Sequence, residues 1–382
     1  MSRFPEIIKT TVITKLDEFY TLEQEWDQLI DSMPDYLPTM TFQWHRAWLE
    51  VNQPKIQKIH IFVFRDQEEN VIGIVPLVKT QASLFRKKLM VYTFSGARDQ
   101  IKTLIICKHE HHIQLLLELL THFYEKHHDW DLLTLRRLAS SHADEIFLER
   151  ILKKHHWPFS VESQLKIPYI FLEGDFESYF KSRKKHFRNE VKRKSKQLNK
   201  MGNVRYRVLT SPIDEKDFNR FVEMENAGWK GNNKSSLLHR ERLLALFKNL
   251  SQLESKPLKL VMYKMLLNEQ LISASLCFQT KNSLHVFKIA YDEKFKRQSP
   301  GLLLRLFEIE DAFARGLKIY DFSGKAQRWM RDFTNRQHYV MDYIIYRKTL
   351  ASLIRYLGFT RLKPLIKHSS ISEKFLKNLI DE

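Results

Sequence analysis

Ser283–Gly324 reads "SLHVFKIAYDEKFKRQSPGLLLRLFEIEDAFARGLKIYDFSG". The apolar, β-branched start predicts a strand over 283–291, and "LKIYDF" predicts another over 317–322. Between them lies a loop with Lys294, Lys296 and Arg297, then a helix. Ser299 stands where an N-cap belongs and Pro300 at the first helical position. Carboxylates are favoured in a first helical turn because they answer the helix dipole, yet Gly301, Leu302, Leu303, Leu304 and Arg305 include none. The unpaired N–H groups are therefore left for an external anion, and Gly301 lets a bulky anion come close. Arg315 and Gly316 suit the helix's last turn and C′ position. The order suits a pyrophosphate held at a helix N-terminus between two parallel strands. No Gly-Lys-Ser/Thr follows, so it is not a P-loop, and G-x-G-x-x-G is absent. The cap by itself is equally compatible with an ordinary capped helix.

Outward from this stretch, helical patterns fall at about 18–32, 42–52, 110–127, 142–155, 176–200, 214–229, 236–254 and 300–315. Strand-like runs fall at about 57–66, 70–79, 88–95, 102–107, 131–137, 166–172, 204–209, 258–267, 271–280, 283–291, 317–322 and 337–347. The mixture gives an α/β or α+β class. "KIHIFVFRDQEENVIGIVPLVK" echoes "LKLVMYKMLLNEQLISASLCFQ", and each is followed by a further strand, a long helix and a late strand. Two copies of one α/β unit are expected. The first has "SGARDQIKTLII" where the second has "KRQSPGLLLRL", so one cofactor site is expected, in the C-terminal half.

A chain of 382 residues, 43% apolar and 28% charged, suits about two globular domains. No apolar run nears the roughly 20 residues that span a bilayer, and "MSRFPEIIKT" has no signal-peptide core. Cys107 and Cys277 lie in apolar strand-like runs and read as buried thiols in a reducing cytoplasm. The net charge of +18 is uneven: residues 181–200 hold ten Lys/Arg against one Glu, and 347–382 hold eight against three acids. Such patches recruit nucleic acid, anionic lipid or a polyphosphate cofactor.

"WKG" at Trp229–Gly231, "AYDEKFKRQSPGLLL" at Ala290–Leu304 and "GLKIYDFSG" at Gly316–Gly324 resemble the GNAT acyltransferases. The likeness is to their tandem-domain branch, described as CelD-like or BioF2-like and related to the FemAB aminoacyltransferases. "TFQWHRAWLE", "VIGIVPL" and "FSGARDQ" fit the same branch in the first half. The resemblance implies two tandem GNAT-like domains, each a mixed twisted sheet flanked by helices. Residues 1–165 would lack a cofactor loop, 166–347 would bind acyl-CoA, and 348–382 would be a basic tail. The family's Gln/Arg-x-x-Gly-x-Gly/Ala loop maps onto Gln298, Gly301 and Leu303, which implies coenzyme A contacts from Arg297, Gln298, Ser299, Pro300, Gly301, Leu302 and Leu303. Leu303 departs from the family's small residue. Where many relatives carry a Tyr-Lys pair, this chain has "QRWMRDF", with Trp329 in the aromatic place and no matching lysine.

The resemblance implies acyl transfer from acetyl-CoA, or another acyl-CoA, to an amine, such as an amino sugar or an envelope polysaccharide precursor. Such a reaction needs a positioned amine, a base for its proton, and at most a weak acid for the thiol. By position the candidate bases are Glu225, Asp292 and Asp321; the candidate acids are Tyr291, Tyr320 and Tyr339; Trp229 and Lys230 are the substrate-side residues. Turn-capping and packing are the competing readings for each. No metal is expected. His127–Asp131 matches an H-x-x-x-D spacing, but it and the pairs His111–His112, His127–His128 and His155–His156 read as helix ends rather than as ligands. The 181–200 helix suits solvent, an anionic membrane or tRNA, and FemAB relatives draw on aminoacyl-tRNA. An aminoacyl-tRNA-dependent transferase and a non-catalytic adaptor at nucleic acid or membrane are thus the rival functions. The expected location is cytoplasmic, with peripheral contact at the membrane's inner face.

Overall fold

The computed structural model describes residues 8–84, 87–96, 102–140 and 142–357. The chain forms two compact units: residues up to Leu165 together with those from Tyr339 onward, and Lys166–His338.

In the first unit, β1 (Lys9–Ile13), β2 (Lys58–Arg65), β3 (Val71–Leu84) and β4 (Lys87–Phe94) pair antiparallel in sequence. The two-residue β5 (Ile106–Cys107) adds to β3. β6 (Leu132–Ser140) lies parallel to β4. A parallel pair needs a crossover, and the helix His112–Glu125 supplies it. That helix buries Leu115, Leu116, Leu119, Leu120 and Phe123, the one-sided spacing of a helix on a sheet.

The second unit repeats this order. After β7 (Phe159–Phe171), strands β8 (Val204–Thr210), β9 (Lys259–Leu267), β10 (Gln270–Gln279) and β11 (Ser283–Tyr291) pair antiparallel in sequence. The helix Pro300–Ala314 crosses over to β12 (Ile319–Asp321), which is parallel to β11 and antiparallel to β7. β13 (Gln337–Tyr346) then pairs antiparallel with β6 through Tyr339–Tyr346. Its Tyr343 and Ile345 are buried in the first unit's core beside Leu133 and Leu135. That segment joins the first unit rather than closing the second near residue 347.

The Pro300–Ala314 helix lies on one face of the second sheet. Its Leu303, Leu304, Leu306, Ile309 and Ala312 form a core with Val261, Tyr263, Cys277 and Leu284. The helix Lys185–Asn199 flanks it, burying Phe187 and Leu198. The single helix expected over 176–200 is broken into Phe176–Lys181 and Lys185–Asn199. At the break, Ser182 Oγ donates to the Tyr179 carbonyl at 2.6 Å, a local bond that competes with helix continuation. Helices Glu215–Ala227 and Glu241–Ser251 pack on the other face. Among the described residues, no helix is long and apolar enough to cross a membrane.

Candidate functional site

β12 accompanies β11 only along Ser283–His285, whereas β10 follows β11 to Tyr291. From Val286 onward, one edge of β11 is therefore not covered by β12. The direction of its backbone groups follows from one bond. Asp292 N–H donates to the Ile272 carbonyl at 2.9 Å. In antiparallel pairing the groups alternate, so Asp292, Ala290 and Lys288 turn toward β10. Ile289 and Tyr291 turn theirs to the opposite, open edge.

The strand runs into a 3-10 turn, Glu293–Gln298, and then the Pro300–Ala314 helix. Pro300 is the first helical residue and no acid occupies the first turn, as expected. Ser299 differs from its expectation: it makes no side-chain cap and adopts a left-handed backbone, φ 53° and ψ 53°. Its N–H bonds the Lys296 carbonyl, and its own carbonyl receives Leu302 and Leu303 N–H at 3.0 and 3.3 Å. The tight turn thus dictates the conformation. A non-glycine residue held there costs on the order of 1–3 kcal/mol, and such strain gathers at ligand sites. The Gly301 N–H has no carbonyl one turn back within the helix. A Cβ at Gly301 would meet only Ile289 and Tyr291 side-chain atoms at 3.6 Å, an ordinary contact. The chain's own packing does not require glycine there. Exposed Lys294, Lys296 and Arg297 surround the turn, and Lys194 of the neighbouring basic helix donates its ammonium to the Arg297 carbonyl.

On the opposite face, Glu225 is 2% exposed. Its Oε1 accepts from Lys230 Nζ at 2.8 Å and lies 3.7 Å from Lys288 Nζ; its Oε2 accepts from Leu237 N–H at 2.8 Å. Lys230 Nζ also donates to the Ile289 carbonyl at 2.8 Å, a group on the open edge. Burial pushes the Lys288 ammonium below its ordinary range, and Lys230 and Arg240 push it further, against the pull of Glu225. Burial and the Glu293 carboxylate push the Tyr291 hydroxyl up, so it stays protonated. Met224, Glu225, Gly228, Lys230, Ile289, Ala290, Tyr291 and Glu293 line a slot of about 20 Å³. That is room for about one water, so the slot is an entrance between side chains rather than a ligand-sized chamber. Two larger hollows, of about 430 and 450 Å³, lie in the first unit and contain none of these groups.

The "WKG" turn, Trp229–Asn232, sets this geometry. A Cβ at Gly231 would stand 1.7 Å from the Asn226 carbonyl oxygen, so only glycine lets the chain fold back that tightly. Glu225, Lys230 and Tyr291 are thus brought together. Asp292 and Asp321 sit elsewhere. Asp292 accepts from Lys294 N–H at 3.0 Å and caps its own turn. Asp321 pairs with His285 in the strand register, far down β11, and accepts from Ser323 N–H at 2.7 Å. Tyr320 is buried and donates to Glu308, and Tyr339 lies on β13 in the first unit. His127 bonds the Tyr92 hydroxyl at 2.7 Å, while Asp131 accepts from Met90 N–H at 2.9 Å, so the H-x-x-x-D pair is divided. Among the described residues, no group of three or more His, Cys, Asp or Glu side chains is placed to hold a metal. Lys288 was not singled out from the sequence, although a lysine inside the apolar run "SLHVFKIAY" was a visible signal.

The family model of the GNAT acetyltransferase domain matches residues 185–331. Residues 185–331 are a GNAT domain. The match takes in the open strand, the turn and the helix start, and the expected kinship with GNAT proteins holds. Solved structures extend the likeness of fold to about nine-tenths of the chain. FemX is 12% identical, with 91% of this chain and 99% of that chain covered and a TM-score of 0.58. A protein of unknown function from Bacteroides thetaiotaomicron is 11% identical over 90% and 100%, with a TM-score of 0.52. The C-terminal domain of a protein assigned as a lysylphosphatidylglycerol synthetase, from Agrobacterium fabrum, is 7% identical over 88% and 95%, with a TM-score of 0.51. At such identities they show the fold alone. No curated protein matches the sequence. The GNAT domain and the repeated strand order of the first unit make the chain a tandem arrangement of GNAT-like units.

Proposed function

We propose that this GNAT protein transfers an acyl group from a coenzyme A thioester to an amine. The observation that carries the reading is Gly301. It stands at a helix start beside an open strand edge, and nothing in the chain's own packing demands a glycine there. A pyrophosphate at that helix start would meet the Gly301 N–H and the cations of Lys294, Lys296 and Arg297. Arg297, Gln298, Ser299 and Pro300 would complete the contact, whereas the Leu302 and Leu303 N–H groups are taken by the Ser299 carbonyl and the Leu303 side chain is buried in the core. The acyl arm would follow the open edge of β11 toward Ile289.

The chemistry needs little activation, because the thioester is already reactive and positioning supplies much of the rate. The amine nitrogen adds to the carbonyl carbon, the C–N bond forms, and the C–S bond breaks. The amine's proton passes to the Glu225–Lys288 pair, directly or through one water. The departing thiolate takes a proton from Tyr291 or solvent. Asp292 and Asp321 have no part in this scheme. The turn that carries Lys230 forms its substrate side, and an amino sugar or another small amine of envelope metabolism is the acceptor we favour.

Calorimetric titration of acetyl-CoA and coenzyme A tests the donor. Micromolar binding lost in Gly301→Glu is the expected result; equal affinity in both proteins would remove the reading. The second reading, aminoacyl-tRNA as donor, is favoured by one observation: the basic Lys185–Asn199 helix lies against the same turn, through Lys194 and the Arg297 carbonyl. It predicts salt-sensitive tRNA binding lost on neutralising Lys184, Lys185 and Lys192–Lys194. Absence of tRNA binding at low salt would discard it.

A further inference from the structure

Lys230 holds a position that ion pairing alone does not explain. Its ammonium has three N–H donors. One goes to Glu225 Oε1 and one to the Ile289 carbonyl, each at 2.8 Å. Ile289 turns its backbone groups to the open edge of β11, so the ammonium stands on that edge. The side chain is 17% exposed and lines the slot together with Ile289 and Tyr291. The third N–H is thus available on the side from which a donor chain running along β11 would present its carbonyl. Glu225 and the Leu237 N–H fix the anchor, and the Gly231 turn fixes the stem. A lysine that only joined a helix to a strand would need neither the open edge nor this exposure.

We propose that Lys230 Nζ is a catalytic group: it donates a charge-assisted hydrogen bond to the carbonyl oxygen of the acyl donor and stabilises the oxyanion formed on attack. When the amine adds to the carbonyl carbon, the C=O π pair moves onto oxygen. Lys230 meets that charge without giving up its proton. The pair returns as the C–S bond breaks. Glu225 is then also a positioning residue, holding the ammonium in place. The inference rests on the acyl-transfer reading above.

The test is infrared difference spectroscopy of acetyl-CoA labelled with ¹³C at the thioester carbonyl, bound to the full-length protein. The expected result is a shift of the carbonyl stretch to lower frequency on the wild type. Lys230→Met should abolish the shift while the dissociation constant stays within about threefold. Where an acceptor amine is available, its turnover should fall about 10²–10³-fold, as for loss of one oxyanion donor. Lys230→Arg keeps a cation beside Glu225 but moves the donor, and it should bind with a reduced shift; it serves if the methionine variant does not fold. A wild type that binds without a shift, or a shift that survives in Lys230→Met, overturns the role of Lys230 and leaves the acyl-CoA reading intact. A wild type that does not bind acetyl-CoA overturns both.

Discussion

The guanidinium of Arg305 donates to the Tyr320 hydroxyl at 2.9 Å, on the buried face of the Pro300–Ala314 helix. Tyr320 in turn donates to Glu308 Oε2, and Ser275 Oγ donates to Glu308 Oε1 at 2.5 Å. The Phe322 and Trp329 rings lie 5.4 and 5.5 Å from the guanidinium carbon. This buried set fastens the middle of the Pro300–Ala314 helix to β10 and β12, so the helix is held by polar bonds as well as by leucines. Breaking one member of a buried charge pair leaves the other uncompensated, at a cost of about 3–5 kcal/mol. Glu308→Ala should lose that much stability in urea denaturation of the full chain. A loss below about 1 kcal/mol would mean that the network is not coupled as drawn.

Gly301 separates packing from binding. Because a Cβ there makes only 3.6 Å contacts, Gly301→Ala should melt within a few degrees of the wild type. Its affinity for acetyl-CoA should nevertheless fall, and that of Gly301→Glu should vanish, since a carboxylate would then occupy the place proposed for phosphate. A melting drop of tens of degrees in the alanine variant would show that glycine serves the fold.

Gly231 should behave the other way. Its missing Cβ is replaced in space by the Asn226 carbonyl at 1.7 Å, and neither backbone segment can yield cheaply. Gly231→Ala must open the turn and draw Lys230 away from Glu225 and Ile289. The expected outcome is faster amide exchange around 225–240 and loss of acyl transfer, with acetyl-CoA binding retained at the helix start, whose backbone the turn does not hold. Unchanged exchange protection would refute it.

The order strand, basic loop, helix, strand was legible because each piece has its own periodicity and punctuation. The repeat was legible for the same reason. What failed was set by tertiary contact. Ser299 looks like a side-chain cap, but the preceding 3-10 turn forces it left-handed. Asp321 was read at a strand end beside the cofactor, but β12 is three residues long and meets β11 only at its start. Glu225 and Lys230 are five apart, a spacing that pairs no side chains along a helix. Only the turn at Gly231 brings them together. Nothing local marks Tyr339–Tyr346 as a strand of the first unit, because its partner β6 is about two hundred residues earlier.

Acid should weaken the first unit. His45, 2% exposed and bonded through Nδ1 to Ser95 Oγ at 2.7 Å, is pushed down to about 3 by burial. His60, 7% exposed, is pushed down to about 4, chiefly by burial and then by His127, Lys58 and His122 nearby. In the unfolded chain both titrate near 6.5. Between those values the unfolded state binds more protons, so stability rises with pH and is lost as pH falls from about 6.5 toward 4. At pH 5 each histidine should cost about 2 kcal/mol relative to neutral pH. Burial also holds His122 and His127 of the same unit below their ordinary range, so replacing His60 by leucine removes one of several titrating groups and should make the slope of unfolding free energy against pH shallower in that window. Urea titrations of both proteins from pH 7 to pH 4.5 would settle it: parallel slopes would mean that His60 takes up its proton without unfolding the unit.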